Sequence, residues 1–210
     1  MTEYETEEQQ IEALKKWWKE NSTSLVVGLL VGVSALFGWR YYGDQQNVHA
    51  LQASDMYMQV MQSVALNAAD DKTIDISNAL INDYSDTPYA ALAAMVLAKS
   101  EYEKGNADGA TAQLEIAIKV SNEDTTKQIA NLRLVSVYIE QEKYDEAAAS
   151  LNMSHSSVYD AKYEELKGDL YAAKGDTEQA RMAYDKAIAL LGTDASRKWL
   201  LLKRQGLGSV

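Results

Sequence analysis

From Leu25 to Trp39 the chain reads LVVGLLVGVSALFGW, 15 residues without a charge, of which Ser34 alone is clearly polar. Extended to Ser22 and Tyr42, the stretch holds 21 residues and a single charge, Arg40, at its far edge. A helix of that length rises about 31 Å, and the hydrocarbon core of a bilayer is about 30 Å thick. A buried core helix fits the same length, but the flanks favour a membrane span. Trp17 and Trp18 precede the run and Trp39, Tyr41 and Tyr42 close it, as aromatic side chains do at the two water interfaces. Arg40 can reach the headgroups while its stem stays in the apolar layer.

Beyond the span the pattern changes to helical amphipathicity. Residues 44–67 read as a helix with Tyr57, Val60, Met61 and Val64 on one stripe. A second helix is expected at 73–84, with Ile76, Leu80 and Tyr84 four apart. Ser85-Asp86-Thr87-Pro88 then breaks the chain, because proline cannot continue a helix but can start one.

From Pro88 the chain repeats itself. The segments LAKSEYEKGNADGATAQLEIAI (97–118), LVSVYIEQEKYDEAAASL (134–151) and GDLYAAKGDTEQARMAYDKAI (168–188) align with Ala110, Ala147 and Ala180 in register. The same register aligns Ala98, Val135 and Gly168, and also Leu114, Leu151 and Tyr184. The two intervals, 37 and 33 residues, lie close to the ~34 of a tetratricopeptide repeat. Small residues belong where the two helices of a unit touch, and large apolar ones between neighbouring units. Turns are expected at Lys104-Gly105-Asn106, Glu142-Lys143-Tyr144 and Lys174-Gly175-Asp176, two of them with a glycine suited to a left-handed cap. The repeats are degenerate. The fourth position, often tryptophan, is Ala94, Asn131 and Glu164, and the unit-ending proline is absent. A closing helix at 194–204 is expected to cover the last repeat with Trp199 and Leu202. The fold expected is all-α: one N-terminal transmembrane helix, then a tetratricopeptide-like solenoid of three to four helical hairpins. Its parts are a cytoplasmic tail (1–21), the transmembrane helix (22–42) and a periplasmic repeat domain (43–210).

Charge sets the orientation. Lys15, Lys16 and Lys19 lie before the span, whereas Arg40 stands alone after it until Lys72, so the N-terminus is expected to stay in the cytoplasm. The acidic segment before the span is not the basic start of a signal peptide, and GWRYYGDQQ lacks small residues at cleavage spacing. In the tail, Thr6 and Gln9 can form a capping box that starts a helix with Ile11, Leu14 and Trp17 on one side. Within the span, Gly28 and Gly32 form a GxxxG whose face Ala35 continues, and Ser34 and Gly38 repeat the spacing on a neighbouring face. Small residues four apart let another membrane helix approach closely.

Net charge is −11, and the 168 residues after the span hold 25 acids against 16 bases. Such a domain is a poor binder of nucleic acid or anionic lipid. The absence of cysteine excludes disulfides and thiolate metal sites. Candidate chemistry is sparse. His49 and His155 fall in different expected repeats, and Ser154-His155-Ser156 sits in a loop without an orienting carboxylate in sequence. Glu164/Glu165 and Asp70/Asp71 read as solvated faces and turns, and Met56, Met58 and Met61 as helix core. No phosphate-cradling loop, zinc spacing or cofactor motif is present. The composition describes an interaction module rather than an enzyme.

The acidic tail, the span ending in GWRYY and the degenerate repeats together resemble the YfgM family, ancillary subunits of the bacterial SecYEG translocon. The resemblance covers the whole chain and is most specific over Val26–Tyr42 (VVGLLVGVSALFGWRYY). It implies an inner-membrane protein with its bulk in the periplasm, associated with the translocon and with PpiD, a membrane-anchored chaperone related to prolyl isomerases. It also implies help to secreted client polypeptides leaving the channel, and a link to the response regulator RcsB. The alternative is an envelope stress signalling protein whose cytoplasmic tail restrains such a regulator.

Overall fold

The computed structural model describes residues 7–66, 71–191 and 196–207. Thr6 of the expected capping box, Asp70 of the Asp70/Asp71 pair and the first two residues of the expected 194–204 helix lie outside them. Nine α-helices and no strand occur among the described residues. They are α1 (Glu7–Ala65), α2 (Asp71–Asp83), α3 (Pro88–Glu103), α4 (Ala107–Val120), α5 (Asp124–Glu140), α6 (Tyr144–Leu151), α7 (Asp160–Ala173), α8 (Thr177–Leu191) and α9 (Ser196–Gly206). A short 3₁₀ turn, Ser157–Tyr159, leads into α7. Contacts divide the chain into two units, Met1–Leu51 and Gln52–Val210.

In the first unit, the described part of the tail, from Glu7, and the apolar run belong to one uninterrupted helix, α1. It is the one helix among the described residues long and apolar enough to cross a membrane, and none of its apolar stretch is buried. The side chains from Leu25 to Tyr42 all face outward. A soluble core helix cannot leave so much apolar surface bare, so α1 is a candidate membrane span.

The second unit is a solenoid. Each of α2 to α5 packs on its predecessor or successor, α5 on α6, α6 on α7, α7 on α8 and α8 on α9. The contacts of α3 with α5 and of α5 with α7 are between helices two apart, the mark of stacked hairpins. Pro88 starts α3, and Thr87 Oγ1 donates to the Tyr84 carbonyl at 2.8 Å. The three hairpin turns share one backbone geometry. Gly105, Glu142 and Gly175 all have φ in the left-handed region, at 79°, 59° and 79°. The next amide in each case bonds back to a carbonyl five residues earlier, at 2.9 Å: Asn106 to Glu101, Lys143 to Tyr138 and Asp176 to Tyr171. Those bonds satisfy carbonyls that the helix end leaves open.

Three apolar clusters run along the solenoid. Ala53, Val60, Leu80 and Ala93 hold the first, with Tyr57, Val64, Ile76 and Tyr84 packed against it. The largest joins α3 to α7 through Ala98, Leu114, Val135, Ala147, Leu151 and Tyr163, among others. Ala180, Tyr184, Ala187, Ile188 and Leu200 form the last. The methionines do not act together. Met56 packs on the first cluster, but Met58 and Met61 are exposed, because the buried stripe of α1 passes through Val60 and Val64 instead.

The closing helix also differs from expectation. Trp199 is 60% and Leu202 54% exposed, while Leu200 is the residue that seals the last cluster. The phase of α9 is set by Leu200, Lys203, Arg204 and Leu207, which share the inward face at helical spacing. Leu201 and Leu207 pack around that seal, and Lys203 and Arg204 reach the acids of α7 and α8.

Candidate interaction surfaces

The repeat register has a concrete geometry. Ala98, Ala110, Leu114, Val135, Ala147, Leu151, Ala180 and Tyr184 are all buried, with Ala147 and Ala180 fully so. Gly168 is buried as well, and a Cβ built there collides with the ring of Tyr184. The degenerate fourth positions are filled in three different ways. Ala94 is fully buried in the main cluster. Asn131 donates from Nδ2 to the Ser150 carbonyl and to the Tyr163 hydroxyl, both at 3.0 Å. Tyr163, among the largest fully buried side chains, supplies the bulk there.

Glu164, the third of these positions, is a correction. Glu164 and Glu165 are not a solvated face. Glu164 is buried and accepts from Lys167 at 2.9 Å and Lys186 at 2.8 Å. Glu165 accepts from Lys162 and Lys203, both at 2.8 Å, and Lys203 also reaches Asp169 at 2.8 Å. Burial pushes both carboxyls up, but the lysine hydrogen bonds outweigh it and hold them below the usual range. Burial likewise lowers the Lys203 ammonium, and its bonds to Asp169 and Glu165 reverse the shift. Tyr184 donates to Asp169 at 2.7 Å, and burial followed by that bond pushes its phenol far up. The result ties α7, α8 and α9 together through charge. Sequence spacing could not show it, since Lys186 and Lys203 lie 22 and 38 residues from their partners.

The loop histidine does have a carboxylate. The 3₁₀ turn brings Asp160 back so that its Oδ1 lies 3.2 Å from His155 Nε2, while Nδ1 faces the Met153 carbonyl at 3.1 Å. The imidazole stacks on Tyr163 with ring centroids 3.6 Å apart. Both ring nitrogens thus face oxygens other than the hydroxyls of Ser154 and Ser156. The arrangement closes the loop between α6 and α7.

Two surfaces remain open. On α1, Gly28, Gly32, Ser34, Ala35 and Gly38 are exposed, and a Cβ at any of the three glycines would meet nothing within 4 Å. In the solenoid, α3, α4 and α5 enclose a groove of about 330 Å³. Its floor is Met95, Ala98, Ala110, Leu114 and Val137, and its rim Lys99, Tyr102, Arg133, Ser136 and Glu140. At one end Tyr102 donates to Glu140 at 2.6 Å, joining the ends of α3 and α5. That bond, more than burial, pushes the Tyr102 phenol up. Sequence reading missed this groove, because its walls come from helices whose separation is set by packing.

Stacked antiparallel hairpins with left-handed turns at repeat spacing define the class: this is a tetratricopeptide repeat protein carried on a candidate membrane helix. The family described as a tetratricopeptide repeat-like domain matches residues 15–209. The chain is 34% identical over 181 residues to an ancillary SecYEG translocon subunit of Haemophilus influenzae, covering 86% of this chain and 88% of that protein. It is 30% identical over 204 residues to the protein of that name in Escherichia coli K12, covering 97% and 98%. The Neisseria gonorrhoeae protein of the same name is 24% identical over 196 residues, 93% of each chain. The chain therefore belongs to the YfgM family of ancillary SecYEG translocon subunits.

Proposed function

We propose that this chain is a non-enzymatic inner-membrane interaction protein, an ancillary subunit of the Sec translocon that assists chaperoning of newly translocated proteins. The observation that carries the reading is the 30% identity to the Escherichia coli subunit across 97% of the chain, which takes in both the apolar helix and the repeats. In this reading the N-terminal tail is cytoplasmic, as Lys15, Lys16 and Lys19 favour, and the repeat domain is periplasmic. Its small-residue faces at Gly28/Gly32/Ala35 and Ser34/Gly38 pack against another membrane helix. Its repeat domain meets secreted clients and a PpiD-like chaperone beside the channel.

Photo-crosslinking in intact cells tests this. A crosslinking residue at Leu29 should give adducts with translocon or chaperone helices, and one at Lys99 should give adducts with secreted polypeptides or the chaperone. Adducts confined to an RcsB-like response regulator, formed from a crosslinker at Trp18, would favour the signalling alternative instead.

A further inference from the structure

The groove between α3, α4 and α5 has two properties that together describe a ligand. The first is size. At about 330 Å³ it lies at the small end of the ~300–1,000 Å³ range of ligand pockets. That admits one or two apolar side chains, not the surface of a folded protein. Its floor residues Met95, Ala98, Leu114 and Val137 are all buried and apolar, so hydrophobic burial rewards whatever enters.

The second is charge. Two of the three charged groups around the rim are already engaged. Lys99 stands 3.6 Å from Glu103, and Glu140 takes the Tyr102 hydroxyl. Arg133 is different: its Nη1 is directed at the Met95 thioether, 3.7 Å away, and no carboxylate among the described residues pairs with it. A thioether is a weak acceptor, whereas a guanidinium is built for a planar carboxylate. In a chain of net charge −11, an exposed arginine held over an apolar cavity with a thioether for a partner is free to take an acidic group from outside.

We infer that this groove binds an extended peptide segment that presents one or two large apolar side chains next to an internal acidic side chain. The apolar groups fill the cavity and the carboxylate pairs with Arg133. The inference rests on the reading of the repeat domain as a binding module, and adds which sequences it selects.

The test uses the full chain in lipid nanodiscs, with empty nanodiscs subtracted, and fluorescence anisotropy of labelled eight-residue peptides capped at both ends. The probe carries Leu-Phe-Asp in a Gly/Ser background, and its matched control carries Leu-Phe-Asn. Wild type should prefer the Asp peptide by about three- to tenfold, the range for one partly exposed charge-assisted contact. Arg133→Gln should erase that preference, and Ser136→Phe, on the exposed rim, should weaken both peptides by filling the cavity. Equal affinity for the two peptides, no binding, or a preference that survives Arg133→Gln would overturn the proposal. Binding that requires a free C-terminal carboxylate would overturn the internal acidic residue. Translocon copurification, scored on the same preparations, separates the two readings. A chain that retains the translocon without peptide preference loses this inference alone, and one with the preference but no translocon loses the broader reading alone.

Discussion

The ring of Tyr184 lies against the bare Cα of Gly168, so close that a methyl group at 168 would overlap its Cδ1 and Cε1. These residues face each other across the α7–α8 hairpin, and the Tyr184 hydroxyl reaches on to Asp169. Where the other repeats place alanine or valine at this contact, the third accommodates a tyrosine by giving up the side chain opposite. Gly168→Ala must therefore displace the ring, at a cost of about 1–3 kcal/mol typical of overpacking. Calorimetry should find a lower thermal midpoint even though alanine is the better helix former. A midpoint at or above wild type would mean that the ring moves freely.

Glu142 occupies the left-handed position that glycine holds in the other two hairpins. A side chain there costs roughly 1–2 kcal/mol of backbone strain, partly offset by the greater unfolded freedom of glycine. Glu142 is exposed, so little else is lost on replacement. Glu142→Gly should stabilise the domain by about 0.5–1 kcal/mol in reversible urea unfolding. A destabilised variant would show that the side chain has a role beyond the turn.

The Lys203 cluster sets a pH signature. Glu165 is held below its ordinary 4.5, so its contribution is full above that value and is lost as pH falls through the lower native one. Lys203 is held above 10.5, so its contribution is full below that value and is lost as pH rises through the higher native one. Docking of α9 should thus hold across neutral pH and loosen in acid and in strong alkali. Lys203→Met leaves Glu165 and Asp169 short of a partner and should cost about 1–3 kcal/mol at pH 7, discounted for partial exposure. It should also flatten the loss of stability in acid, because the depressed Glu165 carboxyl relaxes upward. A parallel shift of the whole profile would place the effect of Lys203 in packing.

The repeat register could be read from the chain because helix contacts need small residues at fixed intervals. Ala110, Ala147 and Ala180 mark it without any knowledge of the partner helix. The apolar run was legible for a similar reason, since bilayer thickness is a property of the solvent rather than of the fold. What stayed hidden depends on partners distant in sequence. Glu164 and Glu165 look solvated until α8 and α9 deliver Lys186 and Lys203. In the run Trp199-Leu200-Leu201-Leu202 every phase offers an apolar face, so the inward one is decided by where Lys203 and Arg204 find their acids. His155 lacks a visible carboxylate because a 3₁₀ turn, not a regular helix, brings Asp160 to it.

We propose that the membrane span of this YfgM-family chain takes part in recognising the translocon. Gly28 and Gly32 have open space around them within the chain, so larger side chains there should leave its own fold intact. The most direct measurement is the amount of SecYEG recovered with the tagged full chain from mild detergent, for wild type and for Gly28→Ile with Gly32→Ile. Isoleucine keeps the span apolar enough to insert but prevents close approach of a second helix. Wild type should recover SecYEG, and the double variant should remain in the membrane fraction yet recover at least severalfold less. Equal recovery would reduce the span to a tether, and absence of SecYEG from the wild-type eluate would contradict a role at the translocon.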